Sequence, residues 1–289
     1  MIDLQDCGMR HFTYISTLYT ILKSAAEYHK KVVVLDRPNP LGDIMEGPLV
    51  EPQLHSFISI AAIPVRHGMT IGELARYFNM YELESPADLN VICMKDYDRT
   101  CGLGGKFLAP LSPNIPSSQA CYGYSFLGML GEFKPFNVGI AFNKPFQMIM
   151  LPAAITWTDA QWHSLAHILK GYGINASLCH RDAKSGASYR GLQIHIPDIT
   201  SVPSFQVLLA ILDCTRTAGL KVTFSELGEK AIGTTKLRQY LDDNLERAQL
   251  TASINDDLRG FYKKAQPCFL YKPWPRAIAI DKKAENQTK

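Results

Sequence analysis

A short apolar run that leads straight into a charged, proline-containing segment constrains this chain most. Residues 32–35 read VVVL, and residues 36–42 read DRPNPLG. Consecutive apolar β-formers without alternation predict a strand buried on both faces, as in a parallel sheet. Pro38 and Pro40 restrict the backbone on both sides of Asn39, so polar side chains here would lose little conformational entropy on binding a ligand. A proline-stiffened surface loop facing water is the alternative that this segment leaves open.

Helical and strand patterns alternate over the first hundred residues. Residues 13–29 have helical periodicity and run directly into that strand. Thr70 and Glu73 form a capping-box pattern at the start of a second helix, and residues 89–94 predict a further strand. The alternation predicts an α/β fold with a Rossmann-like, doubly wound and mostly parallel sheet over residues 1–150. Because the chain opens within a strand-like run, we expect the first strands of this sheet to lie upstream.

The second half predicts a smaller α/β domain over residues 151–275, followed by a charged tail at 276–289. A stretch rich in Gly and Pro, residues 102–116, predicts a structured loop. The helical patterns cover residues 159–170, 203–217 and 234–265, and the strand patterns cover residues 174–179 and 191–196.

Composition excludes several classes of function. A net charge of +3, without a basic cluster interleaved with aromatics, argues against nucleic acid as the main partner. The seven cysteines are scattered, with neither a C-x-x-C pair nor histidines at ligand spacing, so we expect no metal site. No glycine-rich nucleotide motif follows a strand, so we expect no cofactor. No apolar run is long enough to span a membrane and no export signal is visible, so the chain alone leaves the localisation unknown.

Polar loops should converge at one edge of the predicted sheet. The carboxyl ends of parallel strands meet there, and ligands bind at such edges in open α/β sheets. The loops in question are residues 5–10, 36–42 and 95–99. Residues 64–70 add Arg66 and His67 just ahead of a helix N-terminus, where an anion or a polarised oxygen is favoured. His67 is a candidate base or substrate donor, and a plain helix-entry residue is the alternative.

Carboxylates in these loops point to glycoside hydrolysis. That reaction needs one carboxylic acid to protonate the leaving oxygen and a second carboxylate as nucleophile or as base for water. Asp3, Asp6 and Asp36 supply candidates. Because carboxylates at strand ends also serve as caps and loop anchors, a sugar-binding or nucleotide-binding protein stays open at this point.

Taken in order, the loops resemble the signature of the exo-β-N-acetylmuramidase family typified by NamZ, long catalogued as a bacterial domain of unknown function. The matching segments are DLQDCGMRHFTY at 3–14, LDRPNPLG at 35–42, EGPL at 46–49, IPVRHGMTIGEL at 63–74 and SPNIP at 112–116. A thinner similarity continues through GLQIHI at 191–196 to Leu270 and Tyr271.

The resemblance implies a Rossmann-like domain and a smaller α/β domain with the active cleft between them. It implies removal of N-acetylmuramic acid from the non-reducing ends of peptidoglycan fragments, and an extracytoplasmic or periplasmic location if the true N-terminus lies upstream. The implied catalytic residues are Glu132, Asp6 and His67. The implied substrate-binding residues are Asp3, Arg10, Tyr14, Asp36, Arg37, Asn39, Arg66 and Asn114.

Residues 130–146 depart from the family pattern, which reads L-E-G-T-x-x-S-E-G-R-G-T-x-x-P-F. Val138 replaces the second Glu, Ile140 replaces the Arg, and Glu132 falls within about one position of the first Glu. The family's upstream P-E-H-G segment has no counterpart in this chain. Both departures favour the alternative hypothesis, a muropeptide-binding or sugar-binding protein that has lost catalysis. An incomplete sheet would also expose an edge, which would allow a homodimer.

Overall fold

A computed structural model describes residues 1–101 and 109–279. The first part of the predicted loop at 102–116 and most of the predicted charged tail at 276–289 lie outside the described residues. The helices are α1 (Tyr14–Glu27), α2 (Ile71–Tyr81), α3 (Ser118–Leu130), α4 (Asp159–Gly171), α5 (Ser204–Thr217), α6 (Glu226–Ile232), α7 (Lys236–Leu241) and α8 (Arg247–Ala265). The strands are β1 (Lys31–Leu35), β2 (Ile44–Met45), β3 (Asp88–Ile92), β4 (Phe133–Lys134), β5 (Met148–Pro152), β6 (Asn175–Asp182), β7 (Ser188–His195), β8 (Thr223–Phe224) and β9 (Arg276–Ala277).

The first hundred residues contain the predicted parallel strands. β1 pairs with β3 in parallel, with Leu35 opposite Ile92, and Ile2 forms a parallel bridge to Val34 on the other side of β1. The predicted helices are confirmed as α1 and α2, and Thr70 and Glu73 form the expected capping box. The chain is thus a mixed α/β protein with a small parallel sheet in its first half.

β1 is less buried than predicted. Val32 and Val34 are buried in a hydrophobic cluster with residues of α1 and α2, such as Leu22. Val33 and Leu35 on the opposite face are only half-buried. The expectation of burial on both faces was therefore wrong for this strand, because within the described residues the helices cover one face.

The second half is built on an antiparallel sheet with the order β5-β7-β6. The strands predicted at 174–179 and 191–196 are confirmed as β6 and β7, and the helices predicted at 159–170 and 203–217 as α4 and α5. Ile149 and Leu192 of the sheet share one hydrophobic cluster with Trp162 of α4. Cys7 and Leu41 belong to the same cluster, so loops of the first half pack on the core of the second.

The structure differs from the sequence patterns at two helices. α3 was not predicted because its glycines lower helix propensity, yet Gly123 is needed, since a β-carbon there would lie 1.7 Å from the carbonyl oxygen of Phe146. The helical pattern at 234–265 forms two helices, α7 and α8, which are separated where Asp243 adopts a positive φ of 56°. A capping box at Glu246 then starts α8.

Candidate functional site

The loop cluster, which we define as residues 5–10, 36–42, 64–70 and 95–99, centres on a contact between Asp6 and His67. His67 Nε2 lies 3.1 Å from Asp6 Oδ2, which also accepts a 2.6 Å hydrogen bond from the backbone N–H of Gly8. His67 Nδ1 accepts from the backbone N–H of Met69, so the ring proton is on Nε2 and is donated to Asp6. Asp6 Oδ1 is buried and has no partner among the described residues. The loop cluster therefore presents one oriented carboxylate with one unused oxygen.

Asp36 is buried and accepts four hydrogen bonds. The donors are the backbone N–H groups of Arg37 and Gly72, at 2.9 and 2.7 Å, and the hydroxyl groups of Thr70 and Tyr271, at 2.8 and 2.7 Å. Burial raises the pKa of Asp36, and these four donors oppose that shift. Asp36 thus joins the end of β1 to the start of α2.

Asn39 ties two further segments of the loop cluster together. Its side chain donates to the backbone oxygen of Met69 at 2.9 Å and accepts from the backbone N–H of Leu41 at 2.9 Å. Gly8, with φ +92°, leaves the space for this side chain, because a β-carbon would lie 2.4 Å from Asn39 Oδ1. Gln5 donates to the backbone oxygen of Pro38 at 2.8 Å. In the loop 95–99, the hydroxyl of Tyr97 accepts from the backbone N–H of Asn39 at 3.2 Å. The loops 5–10, 36–42 and 95–99 and the segment 64–70 therefore meet, as the sequence predicted.

Arg37 lies at the outside of these loops. It forms a bidentate ion pair with Asp3, with both N–O distances 2.6 Å, and the two side chains are 38% and 42% exposed. Its hydrogen bonds lower the pKa of Asp3. We call Asp3 and Arg37 the outer pair.

Arg10 and Arg66 are fully buried. Arg10 donates to the backbone oxygens of four residues: Pro48, Ile63, Ala231 and Ile232. Burial lowers the pKa of Arg10 to about 9. Arg66 contacts Glu46 at 3.1 Å and the backbone oxygens of Leu41, Ile199 and Val202. We interpret both as positioning residues, because these partners occupy both Nη atoms of each guanidinium group. We call Asp6, Asp36, Asn39, Arg66 and His67 the inner cluster.

Besides Arg10 and the outer pair, three further sequence-predicted residues make their contacts outside the inner cluster. Tyr14 donates to the backbone oxygen of Leu111 at 3.0 Å, and Asn114 is exposed in a turn. Glu132 is half-buried and accepts a 3.3 Å hydrogen bond from Ser225. Burial raises the pKa of Tyr124, and the charges of Asp6 and Glu132 are among those that add to this shift.

Sequence reasoning did not single out Arg99 or Tyr271 as site residues, although Arg99 ends the predicted loop 95–99. Arg99 binds Glu73 in a buried ion pair and donates to the backbone oxygens of Gly68 and Tyr271. The hydroxyl of Tyr271 accepts from the backbone N–H of Met94 while it donates to Asp36. The match of Tyr271 to the family pattern was the one signal that could have marked it.

Within residues 1–101 and 109–279, no three His, Cys, Asp or Glu side chains are grouped so that they could hold a metal ion. In the same part of the chain, no helix combines the length and apolar character that a bilayer crossing requires.

Two family models match the chain. They are described as Exo-beta-N-acetylmuramidase NamZ, N-terminal, over residues 1–119, and Exo-beta-N-acetylmuramidase NamZ, C-terminal, over residues 122–271. The chain is also 40% identical over 156 residues to the peptidoglycan beta-N-acetylmuramidase NamZ of Bacillus subtilis (strain 168). That alignment covers 53% of this chain and 37% of the relative, so the chain matches little more than a third of that protein's length.

Two solved structures are similar in fold. One is a DUF1343 family protein from Bacteroides fragilis, with a TM-score of 0.81, 28% identity, and coverage of 93% of this chain and 73% of the other. A second DUF1343 family protein from the same organism has a TM-score of 0.70 and 23% identity, with coverage of 92% and 73%. The second likeness shows the fold alone.

Proposed function

Since this chain belongs to the exo-beta-N-acetylmuramidase NamZ family, we propose that it removes N-acetylmuramic acid from the non-reducing ends of peptidoglycan fragments. The curated relative is named a peptidoglycan beta-N-acetylmuramidase, and its similarity to this chain supports the same substrate class here.

The hydrogen bonding of Asp6 is the observation on which the proposal mainly rests. His67 and Gly8 fix one carboxylate oxygen, and the other is buried without a partner among the described residues. An oriented carboxylate with a free oxygen can exchange a proton with a sugar oxygen or with water, as glycoside hydrolysis requires. His67 holds and orients Asp6, since both of its ring nitrogens are engaged. Glu132 is the second carboxylate of the proposal, because the family resemblance implies it as a catalytic residue.

A binding protein for muropeptides or their sugars is the second candidate. Val138 is buried and Ile140 is 47% exposed, at positions where typical family members carry a Glu and an Arg. Neither side chain can transfer a proton, and the exposed one, Ile140, can contact a sugar ring. This observation favours recognition without turnover.

Release of free N-acetylmuramic acid from a muramyl-glucosaminyl disaccharide tests the proposal. We expect release by the full chain and a loss of roughly 10²–10⁴-fold in Asp6→Asn, the usual contribution of a general acid or base. Asp242→Asn is the matched control, because Asp242 is an exposed aspartate outside the loops. Glu132→Gln should also lose activity while retaining its unfolding midpoint.

Calorimetry with the same disaccharide separates the two candidates. Binding without release would favour the binding protein, whereas neither binding nor release by a folded chain would contradict both. Release that Asp6→Asn leaves unchanged would remove Asp6 from the mechanism.

We also propose a domain architecture for the chain. The parallel pairing of β1 with β3 and the bridge of Ile2 to Val34 support a Rossmann-like, doubly wound sheet in residues 1–150. A smaller domain over residues 151–275, a cleft between the two and an extracytoplasmic location remain predictions from the family resemblance.

A further inference from the structure

β3 has one edge that faces away from β1. The backbone N–H of Asp36 donates to the oxygen of Ile92, so the peptide groups of Ile92 face β1. Because peptide orientation alternates along a strand, those of Leu89 and Val91 face the other way. Within the described part of the chain, no hydrogen bond to these outward groups is made. Unpaired edges of this kind readily pair with a further strand.

A groove of about 670 Å³ runs beside this edge of β3. Its lining is mainly apolar and consists of Met80, Leu83, Pro86, Leu89, Val91 and Leu270, with Arg76, Asn79 and Glu84. Met80 is 52% exposed, which is high for a large apolar side chain. A strand added to β3 would direct alternate side chains into this groove, as in recognition by strand addition.

Charges at the two ends of the groove are opposite in sign. Asn79 of α2 exchanges two hydrogen bonds with Ala87, which directly precedes β3, so α2 and β3 run in opposite directions. Glu84 therefore lies near the start of β3, and Arg76 lies one helical turn before Asn79, level with the later residues of β3. Exposed Asp88, the first residue of β3, and exposed Lys95, which follows the strand, repeat this order of acid and base.

We propose that the edge of β3 and its groove bind a second copy of this chain, with the two β3 strands antiparallel across a two-fold axis. Such an axis places the start of one strand against the end of the other. Arg76 of each copy then lies near Glu84 of its mate, and Asp88 lies near Lys95. A surface that is complementary to itself is what a two-fold interface requires, and it favours a second copy over an unrelated peptide.

Light scattering and sedimentation of the full chain over a concentration series test this proposal, and neither depends on enzymatic activity. We expect the mass to approach twice the chain mass of 32.3 kDa as the concentration rises. Arg76→Glu and Glu84→Arg should each weaken dimerisation by at least about 10-fold, because each juxtaposes like charges. The double variant should restore it, which a folding defect would not do.

Val91→Pro removes an outward N–H at an edge position, where proline is compatible with a strand. It should give a folded monomer. Ile21→Lys is the control, because Ile21 is 38% exposed on α1, beside a different cavity, and this variant should remain dimeric. A wild-type chain that stays monomeric at all concentrations, a dimeric Val91→Pro variant or a monomeric Ile21→Lys variant would each overturn the proposal.

Discussion

The inner cluster and the outer pair both contain aspartate and arginine, and Asp36 and Arg37 are adjacent in the chain, yet their surroundings are opposite. Asp36 and Arg66 are buried, and several partners from distant segments surround each of them. Asp3 and Arg37 contact each other and are both about two-fifths exposed. Burial therefore separates residues that fix the geometry of the loops from residues that can exchange partners with solvent or with a ligand.

The two regions should also differ in how much free energy is lost when an ion pair is broken. Breaking a buried ion pair leaves a charge without water or partner, which costs several kcal/mol, whereas an exposed pair is screened and is worth little. The outer pair can thus open at small cost, while the inner cluster holds Asp6 in one orientation.

The largest expected effect is that of Arg66→Ala. It leaves Glu46 buried without its cation and removes the donors of three backbone oxygens, so we expect a loss of about 3–5 kcal/mol in the free energy of unfolding. Arg37→Ala is the matched control and should change that free energy by at most about 1 kcal/mol. Urea unfolding of both variants measures the two values. Equal losses would abolish the distinction between the two regions.

Tyr271→Phe should have an intermediate effect. It removes the hydrogen bond to Asp36 and the acceptor of the Met94 N–H, and a hydrogen bond to a charged group contributes about 1.5–3 kcal/mol. Tyr28→Phe, at a tyrosine that is 65% exposed, should fall within about 0.5 kcal/mol of the wild type. If Tyr271→Phe is as stable as Tyr28→Phe, the hydrogen bonds of the Tyr271 hydroxyl contribute nothing to stability.

The smallest expected effect is a change of stability with pH, which should have opposite signs for Asp36 and Asp3. Burial raises the pKa of Asp36, so its contribution to stability is greatest below pH 3.8 and declines as the pH rises through its folded pKa. The hydrogen bonds from Arg37 lower the pKa of Asp3, so its contribution is present above pH 3.8 and is lost as the pH falls.

These signs can be checked by measuring the free energy of unfolding at pH values on both sides of 3.8. The proteins to compare are the wild type, Asp36→Asn and Asp3→Asn. The stability difference between wild type and Asp36→Asn should shrink with rising pH, and that for Asp3→Asn should grow. The same direction for both variants would contradict the assignment.

Local signals in the sequence were sufficient to predict many of the helices and strands. The capping box at Thr70 and Glu73 and the strand pattern before Asp36 depend on neighbouring residues, and both are confirmed. The convergence of the loops followed from parallel strands, whose carboxyl ends share one edge. α3 could not be found in this way, because Gly123 weakens the helical signal and is required only by a contact with Phe146.

The sequence by itself determined which segments form strands and helices, which loops carry charge and which family they resemble. Tertiary structure alone decided that Asp36 is buried while Asp3 is exposed, that Arg10 and Arg66 bind backbone oxygens, and that Tyr271 reaches Asp36 across 235 positions. The physical reason is that secondary structure depends on residues a few positions apart. Burial and hydrogen-bond partners depend on how distant segments pack, and no short pattern encodes that packing.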